Sequence, residues 1–256
     1  MIRRGEGEPL VLLHGITGSE TMWRRVVPLL APDHDVIAFT ELGHRGGTPA
    51  GSGTRVADVV DDAERHLDDL GLDKAHLAGN SLGGWVALEL ARRGRALSVC
   101  ALSPAGCWHA GTREQTRGTS RLEMIATATK LTRPLLPLLA RVPAVRKLAL
   151  RDNAVHGERV SAAELLTLAD DLLACTVLGD LLGTDEQLEP LDQLPCPVVI
   201  AWAERDRILP ETGHGARARA LFPGARYRVL PGVGHVPMFD DPGLTASVIV
   251  DAARPG

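Results

Sequence analysis

Aromatic residues are scarce in this chain: three Phe, one Tyr and four Trp make up 3% of its 256 residues. No basic patch with interleaved aromatics occurs, and the net charge of -4 and pI near 6.1 add no positive field. Nucleic acid is therefore not an expected partner. The four cysteines, Cys100, Cys107, Cys175 and Cys196, stand far apart, without CxxC pairs or histidines at metal-ligand spacing. That excludes a metal-binding or disulfide framework and predicts buried free thiols. No uninterrupted apolar run approaches the roughly 18 residues of a membrane span. The opening MIRRGEGEPLVLLHG places charges, glycines and a proline before a short apolar run, unlike a signal peptide, and a cytoplasmic protein is expected. Internal repeats and low-complexity tracts are also missing.

What is present is an ordinary globular balance, 45% hydrophobic and 23% charged, in a length suited to one α/β domain with an insertion. Leu10 to Leu13 is a buried strand running into the loop His14-Gly15-Ile16-Thr17-Gly18-Ser19, with a helix to follow whose apolar face is Met22, Val26, Leu29 and Leu30. Val36 to Phe39 is the next strand, followed by a glycine-rich loop from Glu41 to Gly53. Val56, Val59, Val60, Ala63, Leu67 and Leu70 recur at helical spacing, closed by Gly71. Leu97 to Leu102 and, later, Val198 to Ala203 and Arg226 to Leu230 are further strands. Strands alternating with helices predict a mostly parallel, doubly wound sheet covered on both faces.

Between about Cys107 and Leu188 the alternation stops, and leucine-rich helical sequence broken by Pro134, Pro137 and Pro143 takes over. Residues 107–188 are read as a helical cap inserted into a core formed by 1–106 and 189–256. Ser161 and Glu164 have capping-box spacing before Leu165, Leu168, Ala169, Leu172, Leu173 and Thr176. The stretch LTRPLLPLLARVPAVRKLAL is apolar with basic residues, so a membrane-surface helix must be weighed. Its prolines favour packing on the core over membrane contact.

The chemistry centres on Lys74 to Arg93, KAHLAGNSLGGWVALELARR. A short apolar strand leads into Gly79-Asn80-Ser81-Leu82-Gly83 and then into helical spacing. A G-x-S-x-G segment at a strand-to-helix junction is a nucleophile elbow, where small neighbours let a strained serine project its hydroxyl. An ordinary glycine-rich turn is the bland alternative. A serine hydroxyl is a weak nucleophile and needs an imidazole to take its proton, with a carboxylate to fix that imidazole's tautomer. Asp206 follows a later strand and His235 sits in a glycine-flanked loop after the last one, so Ser81, Asp206 and His235 emerge at the carboxyl edge of one sheet, where such folds place their sites. Glu204, Asp240 and Asp241 compete with Asp206 for the acid. Glu204 precedes the loop and the Asp pair has the look of an N-cap, which favours Asp206.

With these segments in hand the sequence resembles the α/β-hydrolase fold superfamily over nearly its whole length. HGITGS from His14, GNSLG, AERDRILP around Asp206 and GVGHVPMFDDP around His235 carry the resemblance. It implies an oxyanion hole made by the backbone N–H groups of Ile16 and Leu82. It implies no metal and no cofactor. Little chain precedes Leu10, where relatives carry an antiparallel hairpin, and the loop often written D-x-x-G-x-G-x-S reads Glu41-Leu42-Gly43-His44-Arg45-Gly46-Gly47-Thr48 here. His44 and Trp108 are candidate pocket residues.

The expected activity is that of a serine hydrolase acting on a small apolar ester or related acyl compound. Epoxide hydrolases and haloalkane dehalogenases of this fold use aspartate at the position of Ser81. A C–C bond hydrolase or lyase with the same triad is the alternative within the class. A non-catalytic binding protein on the same scaffold is the alternative outside it. The motifs are silent on oligomeric state.

Overall fold

Apolar runs of four to six residues with no polar alternation need cover on both sides, and the sheet they build receives it. The structure, a computed structural model, describes residues 1–109 and 124–254. Its strands are β1 (Ile2–Arg4), β2 (Glu8–Leu13), β3 (His34–Ala38), β4 (Ala75–Asn80), β5 (Ala96–Leu102), β6 (Val198–Ala203) and β7 (Arg226–Leu230). They form a 7-stranded sheet in the order β1-β3-β2-β4-β5-β6-β7. β2 through β7 are parallel, while β1 runs antiparallel to β3 with Ile2 opposite Ala38. One antiparallel edge strand thus precedes Leu10.

The stretch expected to be one helix after the His14 loop is instead a short turn, Glu20–Trp23, and a separate α1 (Val27–Leu30). Pro28 explains the break, because it has no N–H to give the carbonyl four residues back. Leu29, assigned to the buried face, is 48% exposed. α2 (Val56–Asp69) and α3 (Leu82–Arg92) follow their strands as the spacing predicts. Between β5 and β6 the described residues hold helices and no strand: α4 (124–132), α5 (Leu136–Leu139), α6 (Pro143–Ala149), α7 (Ala162–Ala174) and α8 (Leu178–Leu182). α9 (Ala216–Leu221) joins β6 to β7, and α10 (Pro237–Asp240) and α11 (Pro242–Ala253) close the described chain.

Successive side chains of a strand point to opposite faces, and here each face has its own core. Val11, Leu13, Ile37, Leu77, Val99 and Ile200 pack with Val59 of α2, Val86 and Leu90 of α3 and Leu221 of α9. Leu10, Leu12, Val36, Ala78, Cys100 and Val199 pack with Leu30 of α1 and with Val248 and Ile249 of α11.

The helical stretch is closed at its neck, where the Leu188 N–H donates to the Gly106 carbonyl at 2.9 Å. α7 starts as its sequence predicts: Ser161 Oγ accepts from the Glu164 N–H, and the Glu164 carboxylate accepts from the Ser161 N–H at 2.7 Å. Leu165 and Ala169 are buried, but Leu173 is exposed. In α5 and α6 and the turns beside them, Leu136, Ala140 and Leu150 face inward, whereas Leu135, Leu138, Val142 and Leu148 face out. Among the described residues no helix is long and apolar enough to cross a membrane.

Candidate active site

Ser81 stands between β4 and α3 with φ 55° and ψ -114°. A positive φ on a residue with a Cβ is strained and persists where its surroundings hold it. Three backbone bonds do so: the Ser81 N–H donates to Leu102 O at 3.0 Å, and Ser81 O accepts from Ala105 and Trp85. The turn closes this tightly because its flanking residues lack side chains. A Cβ on Gly79 would lie 2.1 Å from Gly83 O, and one on Gly83 would lie 2.3 Å from Leu13 O. The G-x-S-x-G spacing is therefore a packing requirement of this strand, turn and helix.

β4, β6 and β7 are parallel within the sheet, so the residues that follow them share an edge. After β6, Asp206 is buried, and its two carboxylate oxygens have separate duties. Oδ1 accepts from the N–H groups of Ile208 (2.9 Å) and Leu209 (2.7 Å), while Oδ2 faces His235 Nδ1 at 2.7 Å. The imidazole thus holds its proton on Nδ1 toward Asp206 and leaves Nε2 as the free acceptor. Ser81 and His235 are only 6% and 4% exposed. His235 is also held through its backbone, since the Asn80 side-chain amide donates to His235 O at 2.9 Å.

The competing carboxylates have other partners. Glu204 is half exposed and accepts from the Gly232 N–H at 2.8 Å. Asp241 caps α11 through the Leu244 N–H at 2.8 Å. Asp240 does not share that cap. It accepts from Gly234, beside His235, and from the N–H groups of Val155 and His156 in the helical stretch. The Val236 N–H donates to Asn153 O at 2.8 Å, so residues 153–156 lie directly on the loop that carries His235. Nothing in the local sequence around Asp240 signals a partner more than eighty positions away.

The loop opposite Ser81 is bound to the elbow. Gly83 N–H donates to His14 O at 3.0 Å, and a Cβ on Gly15 would meet Ser81 Cβ at 3.2 Å. Ile16 follows Gly15 and Leu82 follows Ser81. Among the described residues neither backbone N–H meets an acceptor. Donors left unpaired beside a serine can receive a developing oxyanion.

Beneath this loop lies a buried group, His14, Glu41 and His44, whose possible ligand atoms fall within 4.8 Å of one another. His14 uses both nitrogens: Nε2 accepts from the Glu41 N–H at 3.0 Å, so Nδ1 carries the proton and donates to Gly15 O at 2.9 Å. No lone pair remains for a metal ion, which would have only Glu41 and Nε2 of His44. Burial, aided by neighbouring His44, lowers the His14 pKa to about 3. Burial first, then Asp62, raises the Glu41 carboxyl well above its ordinary range. His44 is buried edge-on against His14, its Nδ1 bonded to Leu42 O, with its pKa lowered chiefly by burial.

Asp171 of α7 is fully buried and accepts from Ser19 Oγ at 2.7 Å and from Arg45 Nε at 2.6 Å. It joins the helical stretch to both loops beside the site. It was not foreseen, because α7 reads as an apolar face and an Asp in it reads as solvated. Trp108 is half buried at the neck, its Nε1–H donating to Glu186 O at 3.2 Å, edge-on to Trp85 and to His214. All four cysteines are free; Cys100 and Cys107 are buried and pushed up to about 12 by that burial, and Cys175 and Cys196 are partly buried.

A family model described as alpha/beta hydrolase family matches residues 10–248. Epoxide hydrolase EphH of Mycobacterium tuberculosis is 36% identical over 195 residues, 75% of this chain and 91% of that protein. A thermophilic esterase from Thermogutta terrifontis superposes with a TM-score of 0.73 at 22% identity, covering 98% of this chain and 90% of its own. Carboxylesterase CesB from Bacillus subtilis does so at 0.72 and 19% identity, covering 99% and 87%.

Proposed function

This chain belongs to the alpha/beta hydrolase family, and on that premise we propose that it is a serine hydrolase cleaving a carboxylic ester or related acyl compound with an apolar group. The observation that carries the reading is Ser81 on its strained elbow at the sheet edge that also bears the Asp206–His235 pair, 2.7 Å apart. In this reading His235 Nε2 takes the Ser81 proton as Oγ attacks the carbonyl carbon. The N–H groups of Ile16 and Leu82 receive the oxyanion. The proton then passes to the leaving alkoxide, and water, deprotonated by the same imidazole, releases the acid from the acyl-enzyme. Asp206 stabilises the imidazolium at both stages. The stretch 107–188 acts as the cap and supplies the pocket walls, with Trp108 at its hinge.

The likeness to a protein named epoxide hydrolase favours a second reading, epoxide opening. Chemistry weighs against it. Attack of a serine on an epoxide carbon yields an ether, which has no carbonyl for water to attack, whereas a carboxylate nucleophile would yield a hydrolysable ester. A panel of p-nitrophenyl esters from acetate to octanoate, run beside styrene oxide and a ring-cleavage dienoate, separates the readings. The proposal expects ester turnover dependent on Ser81 and no diol from the epoxide.

A further inference from the structure

Residues 124–151 contain six basic residues, Lys130, Arg133, Arg141, Arg146, Lys147 and Arg151, and no Asp or Glu, in a chain whose net charge is -4. The same stretch holds most of the large apolar side chains that the fold leaves in solvent. Met124, Leu131, Leu135, Leu138, Val142 and Leu148 are between 48% and 77% exposed, against five such residues in the rest of the described chain. Prolines explain why. Pro134, Pro137 and Pro143 break the stretch into short helices, of which α5 buries Leu136 and α6 buries nothing within its own span, with Ala140 and Leu150 buried at their C-terminal caps. On α5 and its flanks, Leu135, Leu138 and Val142 follow one another at intervals of three and four and so share the outward face.

Part of the positive charge is already committed. Arg133 is paired with Asp170, Lys147 lies 3.8 Å from Glu158, and Arg146 is spent on the carbonyls of Ala140, Arg141 and Glu158. Lys130, Arg141 and Arg151 are exposed, and among the described residues their side chains meet no partner. Residues 124–151 thus combine six exposed apolar side chains with three exposed cations that meet no partner among the described residues.

We infer that this face docks on a lipid bilayer whose surface carries anionic headgroups, with the leucines entering the headgroup boundary and the cations meeting lipid phosphates. Exposed apolar area and basic charge in one run of short helices are the two terms that drive interfacial binding. Other occupants fit less well. A second copy of the face would oppose like charges across the contact. Residues 110–123 of the chain offer one large apolar side chain, Leu122, against six exposed ones. Single-stranded nucleic acid wants aromatic platforms, and 124–151 contains no Phe, Tyr or Trp. At the sequence level the leucines were expected to pack on the core; their exposure is what favours the lipid surface. The inference stands apart from the chemistry proposed at Ser81.

The test is flotation of the full chain with vesicles of phosphatidylcholine alone and of phosphatidylcholine containing about one-third phosphatidylglycerol. Binding is expected to the anionic vesicles only and is lost at about 0.5 M NaCl, where charges are screened within a few ångströms. Lys130→Gln with Arg141→Gln should weaken binding by about 30-fold, and Leu135→Ser with Leu138→Ser by at least about tenfold. Both pairs are exposed, so the thermal midpoint should hold. No flotation, equal flotation with neutral vesicles, or flotation undiminished by either pair overturns the inference. So does a concentration-dependent dimer, seen by sedimentation, that the leucine pair abolishes while vesicles go unbound.

Discussion

The side-chain amide of Asn80 donates to the backbone carbonyl of His235 at 2.9 Å and to that of Leu102 at 3.2 Å. The residue before the serine thereby fixes the loop that carries the base, and binds the ends of β4 and β5 together. Asn80→Ala leaves the His235 carbonyl without a donor, whereas Leu102 O keeps the Ser81 N–H, and the loss costs on the order of 1–3 kcal/mol. We predict a lower urea midpoint together with a fall in kcat of at least about tenfold and a KM within about twofold of wild type. A variant that loses stability but keeps its kcat would restrict Asn80 to a structural role.

Asp206→Asn tests the acid. Because Oδ1 accepts two backbone N–H groups, the amide nitrogen of Asn must take the Oδ2 position and point its own N–H at His235 Nδ1. The imidazole proton is then forced onto Nε2, where it blocks the acceptor that Ser81 needs. We expect kcat to fall by about 10⁴, with Glu204→Gln within about twofold of wild type because Glu204 is half exposed and serves the Gly232 N–H and the Arg205 side chain. The reverse ranking in steady-state kinetics would move the acid to Glu204.

The buried pair His14 and Glu41 predicts opposite pH slopes. The folded pKa of His14 is depressed from 6.5 to about 3, so the stability tied to its neutral form is present above about pH 6.5 and is lost as pH falls toward 3. Glu41 is raised, so its contribution is full below its ordinary value of 4.5 and declines as pH rises toward its elevated folded value. Glu41→Gln removes the second dependence. Its urea midpoint should exceed that of wild type at pH 8, with the gap closing near pH 4. A gap that does not vary with pH would mean that Glu41 is ionised in the folded protein.

Much of this architecture was legible beforehand. β6 has the bounds its apolar run suggests, because a strand buried on both faces has no polar alternation to blur its ends. The elbow was legible because its glycines answer a local need, the close approach of Gly79 to Gly83. Contacts set by tertiary structure were not. Asp171 meets Ser19 and Arg45 across more than a hundred residues, and Asp240 meets Val155 and Gly234 although it neighbours the capping Asp241. The broken helix before α1 turned on Pro28, which an apolar spacing of three and four conceals. The outward leucines of α5 and α6 were equally hidden, since helices of 4 and 7 residues carry too few residues for periodicity to mark an inner face.

If the cap walls are apolar, specificity should follow buried area. Each added methylene contributes at most about 0.8 kcal/mol, so kcat/KM should climb up to about fourfold per carbon until the pocket is full. Esters from acetate to octanoate reacting with equal kcat/KM would remove the apolar pocket from the account.

The central claim is that Ser81 is the nucleophile, and covalent labelling tests it most directly. An alkyl fluorophosphonate traps an activated serine by displacing fluoride, and intact-mass and peptide mass spectrometry locate the adduct. The account predicts one adduct per chain, on Ser81, absent from Ser81→Ala and strongly slowed in Asp206→Asn, with ester kcat in Ser81→Ala reduced by about 10⁴ to 10⁶. An adduct on another residue, or undiminished ester turnover by Ser81→Ala, would contradict it.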